Sequence, residues 1–109
     1  MNQYQMLVEH FSLDERVATG KMFGMNCLKV NGNVFVSVDE ELFILKLSQE
    51  DIAKASHDYG IGLFEPYKDG RTMREWVEVP FEKESVIFEL AEQSIQFVAQ
   101  IPPKIPKRK

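Results

Sequence analysis

The chain has 109 residues, of which 44% are hydrophobic and 28% are charged. This length suits one domain with a single core, and this composition is that of a globular rather than a disordered protein. No apolar run is long enough for a membrane-spanning helix, and the first residues show no signal-peptide pattern. Because Cys27 is the one cysteine, an internal disulfide is excluded, and we expect a cytoplasmic protein with no membrane partner.

The charge is distributed unevenly along the chain. The formal net charge is −4, and four basic residues fall in the last six positions: Lys104, Lys107, Arg108 and Lys109. Without these four, nine basic residues face seventeen acidic ones, a net charge of −8 that does not attract nucleic acid. The prolines of segment 102–109 predict an extended basic tail. That tail is either a contact for phosphate or an acidic protein, or a solvated chain end.

The first predicted element is a short helix that begins after Asn2, which can cap it together with Gln5. Its apolar face is spaced for a helix, at Tyr4, Leu7, Val8 and Phe11. From Val17 the chain becomes extended in character. Residues 17–23 are predicted as a first strand, and residues 25–30 as either its continuation or a second stretch.

A tight hairpin is the firmest local prediction. Asn31-Gly32 supplies two residues that tolerate positive φ, as a type I′ turn requires. We therefore expect residues 27–30 and 34–38 to pair antiparallel, with residues 42–47 as the next strand. The last two segments are apolar on both faces. They are either central strands covered by helices, or one face is buried by another subunit or a partner.

The second half of the sequence predicts two helices that flank two strands. Ser48 is a suitable cap for the first of these helices, and Gly60 is a suitable end. Strands are expected over residues 63–66 and 73–79, and the last helix over residues 83–100.

The resulting order α-β-β-β-α-β-β-α predicts an α+β domain of two layers over residues 1–101, with an antiparallel sheet and flanking helices. Three residues at apolar-periodic positions are expected in its core: Phe35, Trp76 and Leu90.

Catalytic and cofactor motifs are not recognisable in this sequence. His10, Cys27 and His57 are scattered without the spacing of metal ligands. Gly60-Ile61-Gly62 lacks the third glycine of a dinucleotide fingerprint and precedes a strand rather than a helix. We therefore assign no catalytic, metal-binding or cofactor-binding residue, and we expect a non-enzymatic protein without a cofactor.

Three lysines in predicted strands are candidate interaction residues, together with the four cations of the tail. Lys21, Lys29 and Lys46 have phenylalanines nearby, namely Phe23, Phe35 and Phe43. Aromatic residues beside basic ones on a sheet can stack single-stranded bases. The alternative is that the aromatic residues belong to the core and the lysines are solvated.

The order of several short motifs resembles the TfoX/Sxy N-terminal domain family. Met22-Phe23-Gly24-Met25, followed by the segment 30–35, is similar to its M-F-G-G…G-x-x-F-A pattern. The same order as in that family continues through segments 42–47, 63–66 and 69–80, so the resemblance covers about residues 5–100. It implies a two-layer fold similar to secretion chaperones and to YjbR-like proteins, and a non-enzymatic role. The named members are bacterial regulators of natural competence that act with the cyclic-AMP receptor protein at promoters.

Three functions remain open from the sequence. The first is a regulatory or protein-interaction domain, whose partner is another protein, by resemblance the transcription machinery, or a second copy of the chain. The second is direct binding of nucleic acid through the basic tail and the strand lysines. The third is a small-ligand-binding domain or an enzyme whose pocket is assembled in space.

Overall fold

The structure is a computed structural model, which describes residues 2–22, 24–64 and 75–102. Its helices are α1 (Gln3–His10), α2 (Gln49–Tyr59) and α3 (Ile87–Val98), with a 3₁₀ helix at Phe81–Val86. Its strands are β1 (Val17–Met22), β2 (Met25–Val30), β3 (Asn33–Val38), β4 (Leu42–Lys46), β5 (Gly62–Leu63) and β6 (Trp76–Pro80). In the described part they form one antiparallel sheet in the order β1-β2-β3-β4-β6-β5. The predicted α+β class is confirmed.

The structure has one more strand before α2 than the predicted order. The chain reverses after β1, so that Met22 pairs with Met25 and residues 25–30 form a separate strand. Gly24 makes this reversal possible because its φ of 80° is a conformation that residues with a Cβ rarely adopt. The order is therefore α-β-β-β-β-α-β-β-α.

The predicted hairpin between β2 and β3 is confirmed. Asn31 and Gly32 have φ angles of 59° and 77°, as a type I′ turn requires. The register shifts along this pair, because Leu28 faces Val36 whereas the next residue of β2 faces Val34. Phe35 is the extra residue of a β-bulge, which sequence periodicity did not indicate.

The predicted start of α1 and both predicted ends of α2 are confirmed as well. The Asn2 side chain accepts a hydrogen bond of 2.8 Å from the backbone N–H of Gln5, and the capping box is complete. Ser48 accepts one of 3.1 Å from Asp51, and Gly60 ends α2 in the left-handed conformation. The last helix begins later than expected, at Ile87, because the 3₁₀ helix precedes it.

The core lies between one face of the sheet and the helices. Phe35 and Leu90 are fully buried in it, as predicted. The Ser94 hydroxyl of α3 lies 2.8 Å from the carbonyl oxygen of Phe35 and 2.6 Å from that of Lys46. Both oxygens are within hydrogen-bond distance, and the two carbonyls share the one hydroxyl proton as acceptors. Thus α3 covers the centre of the sheet and supplies a donor beside the β-bulge.

The prediction that Trp76 is a core residue is wrong. Val77 and Val79 of β6 belong to the core cluster, whereas Trp76 is only half-buried. Successive residues of a strand point to opposite faces, so Trp76 lies on the other face of the sheet. Both faces of β3 and β4 are apolar, and the second face is buried within this chain as well, since Ile44 of β4 is buried without belonging to the core cluster.

Candidate interaction surface at the edge of the sheet

Among the described residues, strand β1 forms the longer edge of the sheet. It has six residues and pairs with β2 without interruption from Val17↔Val30 to Met22↔Met25. The opposite edge of the described sheet is β5 (Gly62–Leu63). Very short edge strands, bulges, prolines and edge lysines are devices that prevent a sheet from pairing with another chain. Strand β1 has neither a bulge nor a proline, and its one such device is the exposed Lys21.

Half of the side chains of β1 are exposed: Ala18, Thr19 and Lys21. Two of these three, Ala18 and Thr19, are small. Gly20 leaves room for the aliphatic chain of Lys29 from β2, since a Cβ at position 20 would lie 2.9 Å from the Lys29 Cε. The Lys29 side chain therefore lies over Gly20 of β1.

An exposed leucine precedes this strand. Leu13 is 96% exposed and is the one large exposed apolar side chain among the described residues. The turn that follows it is held by Arg16, which donates from Nε and Nη2 to the two carboxylate oxygens of Asp14 at 3.0 and 2.7 Å. These hydrogen bonds hold the pKa of Asp14 below its usual value. Leu13 and residues 17–22 together are called the edge surface below.

A cleft of about 560 Å³ adjoins the edge surface on the side of α3. Leu13, Arg16 and Glu92 line it together with His10, whose Nε2 lies 2.8 Å from the Glu92 carboxylate. The His10 ring also stacks on Phe88, with ring centroids 4.5 Å apart. The cleft therefore combines an apolar side chain with both signs of charge, as the rim of a protein-binding surface does.

The three predicted strand lysines do not come together. Lys21 lies at the β1 edge opposite Asn26, and Lys29 lies on the other face of the sheet, opposite Val34. Lys46 is on β4, with its Nζ 3.6 Å from the Glu75 carboxylate.

Lys46 also lies 5.7 Å from the centroid of the Trp76 ring. The predicted stacking aromatics Phe35 and Phe43 are fully buried, so neither offers a face to a base. Phe23 falls outside the described residues. The three lysines consequently form no common basic face.

The cations of the tail, Lys104, Lys107, Arg108 and Lys109, also lie outside the described residues, but the chain just before them is anchored. The side-chain amide of Asn31 donates to the carbonyl of Ile101 at 3.3 Å, and that of Asn33 donates to the carbonyl of Pro102 at 3.1 Å. Asn33 is 8% exposed, so this hydrogen bond is largely shielded from water. The β2–β3 hairpin thus fixes the point from which residues 103–109 continue.

Groups with catalytic potential are dispersed in the described part of the chain. Cys27 is fully buried, and burial raises the pKa of its thiol, an effect that nearby Lys29 partly offsets. The Ser37 hydroxyl, opposite Cys27 in the register, is buried without a hydrogen-bond partner. His57 is exposed on α2 beside Asp58. No three His, Cys, Asp or Glu side chains of the described residues form a group that could hold a metal.

A second cleft, of about 370 Å³, lies at the start of α1. Asn2, Tyr4, Asp39 and Glu40 are among its lining residues, and the described part of the lining includes no cysteine, serine, histidine or lysine. Its chemistry is that of carboxylate and amide groups, without a nucleophile paired to a base.

Comparison with known proteins gave no match to a family model, to a curated protein or to a solved structure. Within the described residues, none of the helices combines the length and the apolar character that crossing a bilayer requires.

The sequence alone did not reveal the edge surface, although the run 17–22 has the small side chains and lacks the proline that such an edge allows. First, the position of β1 at the edge depends on which strands pair. Second, the turn at Gly24 that separates β1 from β2 has no Asn-Gly or Asp-Gly pair to indicate it.

Proposed function

We propose that this protein is a non-enzymatic, cytoplasmic regulatory domain that acts by binding another protein. The edge surface is the observation that carries this proposal. An unpaired strand of regular geometry offers a row of backbone donors and acceptors to an incoming strand. Leu13, which is exposed just before β1, can add an apolar contact to such pairing.

The resemblance to the TfoX/Sxy N-terminal domain family supports the same kind of role. The two turns that carry its motif, at Gly24 and at Asn31-Gly32, are the reversals that build β1, β2 and β3. These two resembling segments therefore lie in the part of the sheet that ends in the edge surface. By that resemblance, the partner belongs to a transcription-regulating complex.

Affinity capture from the native cell tests this function with a matched pair of variants. Leu13→Asp places a charge on the edge surface, whereas Lys54→Asp changes a charge on the exposed side of α2. We expect the wild type and Lys54→Asp to retain the same protein, and Leu13→Asp to lose it. Each captured protein is then purified and its binding measured directly. Equal binding by Leu13→Asp contradicts the proposal.

Nucleic-acid binding through the tail is the second candidate, and the anchoring of Ile101 and Pro102 favours it. Because its first residues are held in place, a basic arm loses less conformational entropy when it binds. Four phosphate contacts predict a log–log salt slope of about −3.6, and the acidic body limits binding to low salt.

Fluorescence anisotropy with a labelled duplex tests this candidate. We expect weak binding at low salt that disappears when residues 103–109 are removed. Tail-independent binding at physiological salt contradicts it.

A further inference from the structure

We propose that residues 103–109 bind in the cleft that adjoins the edge surface of their own chain, where they cover Leu13 until a partner protein displaces them. The cleft has a volume of about 560 Å³, and α1, α3 and the turn before β1 contribute to its described lining. The competition with a partner rests on the proposed function, whereas the contact within the chain does not.

The point from which this segment continues lies beside the cleft. The side chain of Asn31, in the turn between β2 and β3, donates to the carbonyl of Ile101 at 3.3 Å. Val30, just before that turn, pairs with Val17 at the start of β1. The Val17 N–H donates to the Asp14 carbonyl at 3.1 Å, which closes the turn that lines the cleft. The segment therefore leaves from the end of the sheet at which the cleft lies.

The segment is also long enough to reach the cleft. Glu92 lines the cleft from α3, and the helix rises roughly 9 Å from there to Val98, at about 1.5 Å per residue. The Ile101 N–H donates to the Val98 carbonyl at 2.9 Å, so the turns of α3 continue almost to the anchored residues. Residues 103–109 span up to roughly 23 Å when extended. They can therefore turn back beside α3 and extend into the cleft.

The charges of the segment and of the cleft are opposite in sign. All four charged side chains of the segment are basic. In the described lining, three carboxylates accompany one guanidinium, that of Arg16, which is bound to Asp14. Glu15 and Glu92 therefore give the cleft a net negative charge, which protonation of His10 beside Glu92 reduces but does not cancel. The two parts attract each other, and salt weakens this attraction.

An apolar contact accompanies the charges. Leu13 is 96% exposed, and Ile105 is the one branched aliphatic side chain of the segment. Contact between them removes apolar surface of both from water. Because a short connection gives the segment an effective concentration on the order of millimolar at the cleft, a weak contact is enough to fill it.

Nuclear magnetic resonance tests the contact through the methyl signals of Leu13. We expect these signals to differ between the full chain and a chain that ends at Pro102. In Glu15→Lys, which reverses a charge of the cleft, truncation is expected to shift them less than half as much. In the matched control Glu50→Lys, on the exposed side of α2, truncation shifts them as in the wild type.

Two results of this comparison overturn the inference. The first is a set of Leu13 signals that is the same in the full and the truncated chain. The second is a difference that appears only as the protein concentration rises, because the occupant of the cleft is then the segment of a second copy.

The affinity for the captured protein tests displacement. We expect removal of residues 103–109 to lower the Kd at least about threefold, since a docked segment leaves only a fraction of the molecules open to the partner. An unchanged or higher Kd overturns the inference. In that case, loss of capture by Leu13→Asp still supports the proposed function, which fails only if capture does not depend on the edge surface.

Discussion

Cys27 shows how its surroundings determine the chemistry of a single residue. It is the one cysteine of the chain, it is fully buried, and burial raises the pKa of its thiol. Because the thiolate is the nucleophile, a raised pKa and the lack of access both suppress reaction. We infer that Cys27 packs as a small apolar residue within the sheet.

Alkylation of Cys27 tests that view. We expect iodoacetamide at mildly alkaline pH to modify the folded protein at least about tenfold more slowly than the urea-unfolded protein, because little thiolate is present and none is accessible. Mass spectrometry of quenched samples measures both rates. Comparable rates in the folded and unfolded protein contradict the burial of the thiol.

Leu90 and Trp76 differ in how much their side chains contribute to stability. Leu90→Ala leaves a cavity in the core and is expected to lower the free energy of unfolding by about 2–5 kcal/mol. Trp76→Ala removes a half-buried ring from the other face of the sheet, so its cost is smaller than that of Leu90→Ala. Urea unfolding of both variants measures the two losses. An equal or larger loss for Trp76→Ala places its ring in the core after all.

At the scale of elements, the contact of α3 with the sheet depends on a hydrogen bond as well as on apolar packing. Ser94 is fully buried, and its hydroxyl lies between the carbonyl oxygens of Phe35 and Lys46. Phe35 is the extra residue of the β-bulge, where the strand ladder is interrupted. The hydroxyl therefore satisfies a buried acceptor at the point where the sheet is irregular.

Ser94→Ala is expected to cost about 1–3 kcal/mol, because it leaves a buried carbonyl without a donor. The matched control is Ser56→Ala on the exposed side of α2, which changes the same atoms where water can replace them. Thermal and urea unfolding compare the two variants with the wild type. Equal stability of both variants would show that the Ser94 hydrogen bond makes no net contribution.

The elements that the sequence predicted correctly are those that depend on neighbouring residues. The caps at Asn2 and Ser48 and the turn at Asn31-Gly32 each need only a few consecutive side chains, and all three are present. The β-bulge at Phe35 and the outward position of Trp76 depend on partners distant in sequence. Residue type indicated that Trp76 is apolar, but only the pairing of β6 determines which face it occupies.

For the molecule as a whole, the two edges of the sheet differ in a way that matters for association. In the part of the chain that the structure describes, the β5 edge has two residues, whereas the β1 edge has six, with exposed small side chains and an exposed leucine before it. The fold class could be predicted from periodicity and turn chemistry. The edge surface could not, because it follows from the complete strand order and not from any one segment.

Hydrogen exchange of the protein alone and in complex with the protein that it captures tests the central claim, that the β1 edge binds protein, most directly. Pairing of β1 with a strand of the partner protects the amides of residues 17–22 that point away from β2. We expect the exchange of these amides to slow in the complex, while exchange in α2, residues 49–59, stays unchanged. Unchanged exchange of the β1 amides in the complex would contradict this claim.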